Sequence, residues 1–241
     1  YYGEVYVVPG VVVDAIVIED IDGDGVTELV YNVRDPEQDF RSFVRIRDAN
    51  TGEIEAEIAD TWCVDAVRLG LEEQWALLTY SAPNGAMPER GDLSVRTISK
   101  SKSLREILVL PSAHLWGPST IMGQLLVRQW TNTGSVLVRY ALKEGTLTQV
   151  ATSSDPSLVA NPIKEIVELT DEPAFIVSHN GSVKMIRWSG DVLWNRPVQG
   201  GVPARLSAAD LNNDGRAEII ATATGNRTRI FSLDPGANVS E

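Results

Sequence analysis

The chain has 241 residues, 43% of them hydrophobic and 22% charged, with a net charge of −12 and one cysteine. A pI near 4.7 argues against nucleic acid, whose binders present a basic face, and fits poorly with an anionic membrane surface. The single cysteine, Cys63, excludes an intramolecular disulfide, and the longest apolar runs, such as VYVVPGVVV at 5–13, are far too short to cross a bilayer.

The N-terminal YYGEVYVV already reads as a strand, so no targeting peptide is visible, and the sequence reads as a mature form or a piece of a longer chain. Next come DAIVIED (14–20), TELVYNV (27–33) and SFVRIRD (42–48), short runs rich in β-branched residues and bounded by turn formers. ALLTYS, LSVRTIS, QLLVRQW, SVLVRYAL, AFIVSHN, SVKMIRW, EIIATAT and TRIFSLD continue the series to residue 234. No comparable stretch keeps a helical period, so the expectation is an all-β chain.

The strands recur in order. An apolar strand is centred at Leu29, Leu77, Leu126, Ile176 and Ile219, at intervals of 43–50 residues. The strand after it carries a β-former and then a base: Val44-Arg45, Val95-Arg96, Val138-Arg139, Val183-Lys184 and Thr228-Arg229. Repeats of this length with four strands each are the signature of a β-propeller. The expectation is a single domain, 1–241, forming a five-bladed β-propeller of four-stranded antiparallel blades. Its repeats span approximately 11–62, 63–112, 113–159, 160–200 and 201–241. The last has only three clear strands, and residues 3–10 are the candidate fourth, which would close the ring and remove two sheet edges.

Two stretches between first and second strands crowd carboxylates: IEDIDGDGVTEL (18–29) and LSAADLNNDGRAEII (206–220). Like charges this close need a counter-ion, and Ca²⁺ accepts 6–8 oxygens in irregular geometry. Alternate loop positions can turn to one centre, giving Asp20, Asp22, Asp24, the Val26 carbonyl and Glu28 in the first loop. The same positions in the second are Asp210, Asn212, Asp214, the Arg216 carbonyl and Glu218. An EF-hand would require Glu at position 12, where Tyr31 and Ala221 stand. The competing reading is two solvated acidic turns. At these residues, DIDGDGVTEL and DLNNDGRAEI, the chain resembles the FG-GAP (VCBS) repeats of integrin α heads and many secreted bacterial proteins. The resemblance implies Ca²⁺ held on a propeller rim, mainly to brace a blade. Middle repeats lack the ladder, so two Ca²⁺ sites are expected.

No nucleophile–base motif or phosphate-cradling loop occurs. His114 and His179 lie in unrelated repeats, and Cys63 in TWCVDA reads as a buried small hydrophobe. Asp14, Asp65 and Glu165 sit on first strands, where a channel mouth could use carboxylates as acid and base. Trp62, Trp116, Trp188 and Trp194 could stack on sugars but are better explained by packing between blades. The glycosylation acceptors Asn180, Asn226 and Asn238 carry meaning only in a eukaryotic host. The functional expectation is therefore a calcium-stabilised, non-catalytic binding or scaffold module with a carbohydrate or protein ligand. Nucleic acid and membrane insertion are not expected, and the place of work is extracellular, cell-surface or periplasmic. A polysaccharide lyase or glycoside hydrolase using Asp14, Asp65 and Glu165 is the alternative.

Overall fold

The computed structural model describes residues 12–35, 41–82, 91–115, 119–160, 163–168, 173–179, 182–197, 203–209, 218–223 and 227–232. The described chain is all-β, apart from one capped turn of helix. Strands β1 (Val12–Glu19), β2 (Glu28–Asp35), β3 (Arg41–Asp48) and β4 (Ile54–Ala59) form a four-stranded sheet in chain order. Strands β5 (Thr61–Leu69), β6 (Gln74–Ser81), β7 (Gly91–Ile98) and β8 (Leu104–His114) follow the same order, but they belong to an eight-stranded sheet and not to a separate four-stranded blade as expected. The third repeat has a two-residue β9 (Thr120–Ile121), then β10 (Gln124–Thr131), β11 (Gly134–Lys143) and β12 (Thr146–Ser153). A short helix, α1 (Pro156–Val159), starts where the Asp155 carboxylate accepts the Ser157 N–H at 2.8 Å. Strands β13 (Ile163–Glu168), β14 (Pro173–His179), β15 (Ser182–Arg187) and β16 (Val192–Pro197) make a further four-stranded sheet. Strands β17 (Pro203–Ala209), β18 (Glu218–Ala223) and β19 (Arg227–Ser232) make a three-stranded one. The candidate closing strand, residues 3–10, lies outside the described residues.

Both sequence registers fall on matching elements. Leu29, Leu77, Leu126, Ile176 and Ile219 lie on the second strand of each repeat, and the five base-bearing pairs lie on the third. Two of these bases face an acidic residue in the pairing, while Lys184 faces Asn195. Arg45 stands directly opposite Glu57, and Arg96 opposite Glu106, with ion pairs at 2.6 Å and 3.2 Å. Such half-exposed pairs contribute little each, but they favour one register of the third strand against the fourth.

Burial differs between inner and outer strands. β6 is buried without interruption from Ala76 to Tyr80, and Val30, Tyr31, Asn32 and Val33 of β2 are all buried. A strand buried on both faces needs cover on both sides. β4 has no buried residue and β12 is mostly exposed, as outer strands should be.

Two compact units divide the chain, and each has its own core. The first comprises Tyr1–His114, Gly123–Leu125 and Tyr140–Val150, and the second Leu115–Met122, Leu126–Arg139 and Ala151–Glu241. In the first, Ile21, Val30, Val44 and Ile46 pack on Cys63, Leu77 and Ile98, joining the β1–β4 and β5–β8 sheets. The fully buried Asn32 ties the same two sheets. Its amide donates to the Cys63 carbonyl at 2.7 Å, and its carbonyl accepts the Cys63 N–H at 2.8 Å. In the second unit, Leu137, Leu158, Ile163, Phe175 and Ile186 form the centre, with Trp188 packed against it.

The first strands of four sheets share one irregularity. The pairing skips a residue between Ala15 and Val17, Cys63 and Asp65, Ile163 and Glu165, and Pro203 and Arg205. A bulge at one point of each repeat is a positional feature that re-aims the next side chain.

Candidate metal centre

The bulge sorts the three first-strand carboxylates. Asp65 and Glu165 follow it directly, opposite Leu78 and Ile176, and Val17 and Arg205 hold the same place in their own sheets. Asp14 precedes its bulge and pairs with Asn32, so it does not match Asp65 as the shared Asp-Ala step suggests. The Asp65 carboxylate accepts the adjacent Ala66 N–H at 2.9 Å. Cys63 is fully buried, and desolvation pushes its thiol up to about 12, which suits a small core residue and not a nucleophile. Trp62 and Trp194 are buried and Trp188 is half-buried against Phe175, 5.7 Å between ring centres, so these rings serve packing. His114 ends β8, and His179 ends β14 opposite Ser182, each in its own hairpin. Trp116, Asn180, Asn226 and Asn238 lie outside the described residues.

The acidic loop at 20–27 joins β1 to β2, and its own side chains fold it. Asp20 accepts the Gly23 N–H at 2.7 Å with one oxygen and the Gly25 N–H at 3.0 Å with the other. Asp22 accepts from Asp24 N–H at 3.0 Å, and Asp24 from Val26 N–H at 2.8 Å. Short carboxylates bonding the backbone two or three residues on are the usual makers of such turns. Gly23 and Gly25 take φ of +80° and +92°, where a side chain would be strained. Ile21 anchors the loop in the core, and its N–H donates to Glu28 at 2.8 Å.

The turns leave a buried acidic centre. Asp20, Asp22 and Glu28 each bring a carboxylate oxygen to within 4.8 Å of the others. Glu28 is 0% exposed and Asp22 8%. One oxygen of each, Glu28 Oε1 and Asp22 Oδ2, is buried without a hydrogen-bond partner. Desolvation, reinforced by neighbouring carboxylates, holds both groups above the usual carboxylate range. Asp24 is exposed and stands outside the group of three. Tyr31, at the position an EF-hand would need for Glu, is buried in β2, and its hydroxyl accepts from Arg47 at 3.2 Å.

Buried, mutually repelling carboxylates with orphaned oxygens fit a hard cation: each orphan is an unsatisfied acceptor in a concentration of negative charge. The second loop, with Asp210, Asn212, Asp214 and Arg216, lies outside the described residues. Glu218 opens β18 as Glu28 opens β2, after a connection of equal length, 210–217 against 20–27.

Two neighbours of the loop have no sequence signal. Glu55 of β4 has a side chain only 3% exposed and is ion-paired with Lys102 of the β7–β8 turn. The charge of Glu55 adds to the upward push on Asp22 and Glu28.

No family model matches the chain, so its likeness to FG-GAP repeats rests on the loop motifs alone, and no curated protein matches it. Among solved structures it is similar to a candidate gluconolactonase, with 12% identity, 94% of this chain, 95% of that one and a TM-score of 0.41. A calcium-binding protein, regucalcin, from Agrobacterium tumefaciens shares 16% identity over 84% of this chain and 66% of its own, with a TM-score of 0.44. A luciferin-regenerating enzyme shares 10% over 91% and 78%, with a TM-score of 0.47. At these scores the likeness carries no activity across to this chain. It does correct one expectation. A non-catalytic binding or scaffold module was inferred from the lack of catalytic motifs, yet two of these neighbours are named as enzymes. An absence of catalysis therefore does not follow from the missing motifs.

Proposed function

We propose that the chain is a calcium-binding protein of β-propeller type whose β1–β2 loop holds the ion. Asp20, Asp22 and Glu28 supply the charged ligands, and the Val26 carbonyl and Asp24 stand beside them in the loop. The observation that carries this reading is the pair of buried orphan oxygens, Glu28 Oε1 and Asp22 Oδ2, within one carboxylate cluster. Two solvated acidic turns would not bury a glutamate completely. The ion's chemistry at this place is neutralisation: it relieves the repulsion within the cluster and fixes the loop over the Ile21 anchor.

Three finer points belong to the same reading. Five blades are supported by the fivefold recurrence of second and third strands. Closure by residues 3–10 is supported by the three-stranded last sheet. A second ion, on Asp210, Asn212, Asp214, the Arg216 carbonyl and Glu218, is supported by the equal loop length and by Glu218 at the head of β18. Sites of this type saturate where calcium is millimolar, as outside the cell or in the periplasm. Calorimetric titration of the metal-free chain with Ca²⁺ and with Mg²⁺ tests the reading. It predicts a calcium-binding event that Mg²⁺ does not reproduce and that Asp22→Ala removes. A chain silent to both ions would overturn it. The same preparation, assayed for lactone hydrolysis with and without calcium, reads whether it also carries an activity.

A further inference from the structure

We propose that Lys102 is a built-in counter-cation of the calcium loop, presented by the neighbouring sheet and held by Glu55, and that it sets how tightly the loop takes calcium. This rests on the calcium reading of Asp20, Asp22 and Glu28 and adds its regulation.

The β7–β8 turn, Ser99–Ser103, is built to place this side chain. Lys102 N–H donates to the Ser99 carbonyl at 2.7 Å, Ser99 N–H to the Ser103 carbonyl at 3.1 Å, and Lys102 takes φ of +62°. Its ammonium pairs with Glu55, whose other oxygen, Oε2, is buried and has no hydrogen-bond partner. A carboxylate this deeply buried is costly unless a cation accompanies it. The Glu55 hydrogen bond first, and then the charges of Glu55, Asp24 and Asp22, hold the ammonium above the usual lysine range. Lys100 lies over the loop as well: a Cβ on Gly23 would sit 3.6 Å from its Cε. In the metal-free chain the β5–β8 sheet thus lends positive charge to an acidic loop of the β1–β4 sheet.

A calcium ion among Asp20, Asp22 and Glu28 would bring two positive charges towards that ammonium. Lys102 partly balances the empty site and opposes the filled one. Neutralising it should therefore tighten binding, while neutralising Glu55 should weaken binding, because the ammonium then faces Asp22 and Asp24 without its partner.

Calorimetric Ca²⁺ titrations of the full chain as wild type, Lys102→Met, Lys102→Gln, Glu55→Gln and the Glu55→Gln/Lys102→Met double variant test this. Both lysine variants should bind roughly three- to tenfold tighter at low ionic strength, and Glu55→Gln weaker. The double variant should return towards the wild type, and the gain should shrink in about 0.5 M salt, where exposed charges are screened. A purely structural brace would not depend on salt. Unchanged or weaker binding in the lysine variants, or a gain in Met but not Gln, would overturn the proposal. A wild type that takes no calcium would instead overturn the reading of the site itself, before any variant is compared.

Discussion

Replacing Glu28 by Gln should have opposite effects in the two metal states. Glu28 is fully buried, one oxygen accepts the Ile21 N–H at 2.8 Å, and the other has no partner. Without metal at neutral pH it is a buried charge beside Asp22, with its carboxyl pushed above the usual range by desolvation first and by that neighbour. A glutamine keeps an acceptor for Ile21 and removes the charge. The metal-free variant should therefore equal or exceed the wild type, by up to about 1–2 kcal/mol. With calcium at 100 times its dissociation constant, the wild type gains about 2.7 kcal/mol, and the variant should lose most of that gain. In a domain of this size each kcal/mol moves the melting temperature by about 2–4 °C. Thermal melts of both proteins in EDTA and in calcium should cross, with the variant ahead in EDTA and several degrees behind in calcium. Equal destabilisation in both buffers would refute the reasoning, because Glu28 would then serve only as a hydrogen-bond partner for Ile21.

Asp22 and Glu28 have folded-state values raised above the ordinary 3.8 and 4.5, so their stabilising contribution is present below those values and lost as pH rises through the raised ones. Calcium binds the ionised forms, so the melting gap between calcium and EDTA should widen from about pH 4.5 to pH 7.5, which a pH series of melts reads directly. Asn32→Ala should cost about 3 kcal/mol in urea denaturation, because it leaves the Cys63 N–H and carbonyl buried without their partners between two sheets. If residues 3–10 close the last blade, deleting Tyr1 to Pro9 should lower stability by several kcal/mol, and an unchanged melting curve would exclude that closure.

Much of the fold was legible because period and chemistry coincided. Val44-Arg45 and Val95-Arg96 recur with a glutamate opposite each base, Glu57 and Glu106, so in these two copies side-chain pairing accompanies the repeat, whereas Lys184 faces Asn195. The first acidic loop was legible for another reason: alternate aspartates both fold the turn and crowd the centre, and Asp20, Asp22 and Glu28 do converge. Asp24 was less readable, because a loop position that suits a ligand equally suits an exposed turn residue bonding Val26. The Asp14–Asp65 match did not hold because the two Asp-Ala steps are 51 residues apart while the strands repeat at 48, so Asp14 stands where Trp62 does, three residues before the place of Asp65. Glu55 and Lys102 were invisible, since they reach the loop from another strand and another sheet, with no fixed spacing to announce it. The expectation of no catalysis failed differently: missing motifs say little about a fold class in which named enzymes also occur.

The most direct test of the calcium reading is a crystal structure grown in millimolar calcium. An ion should lie between Asp20, Asp22 and Glu28, with its oxygen ligands at about 2.3–2.6 Å and the two orphaned oxygens among them. Clear density for the three carboxylates with no ion between them would contradict the account.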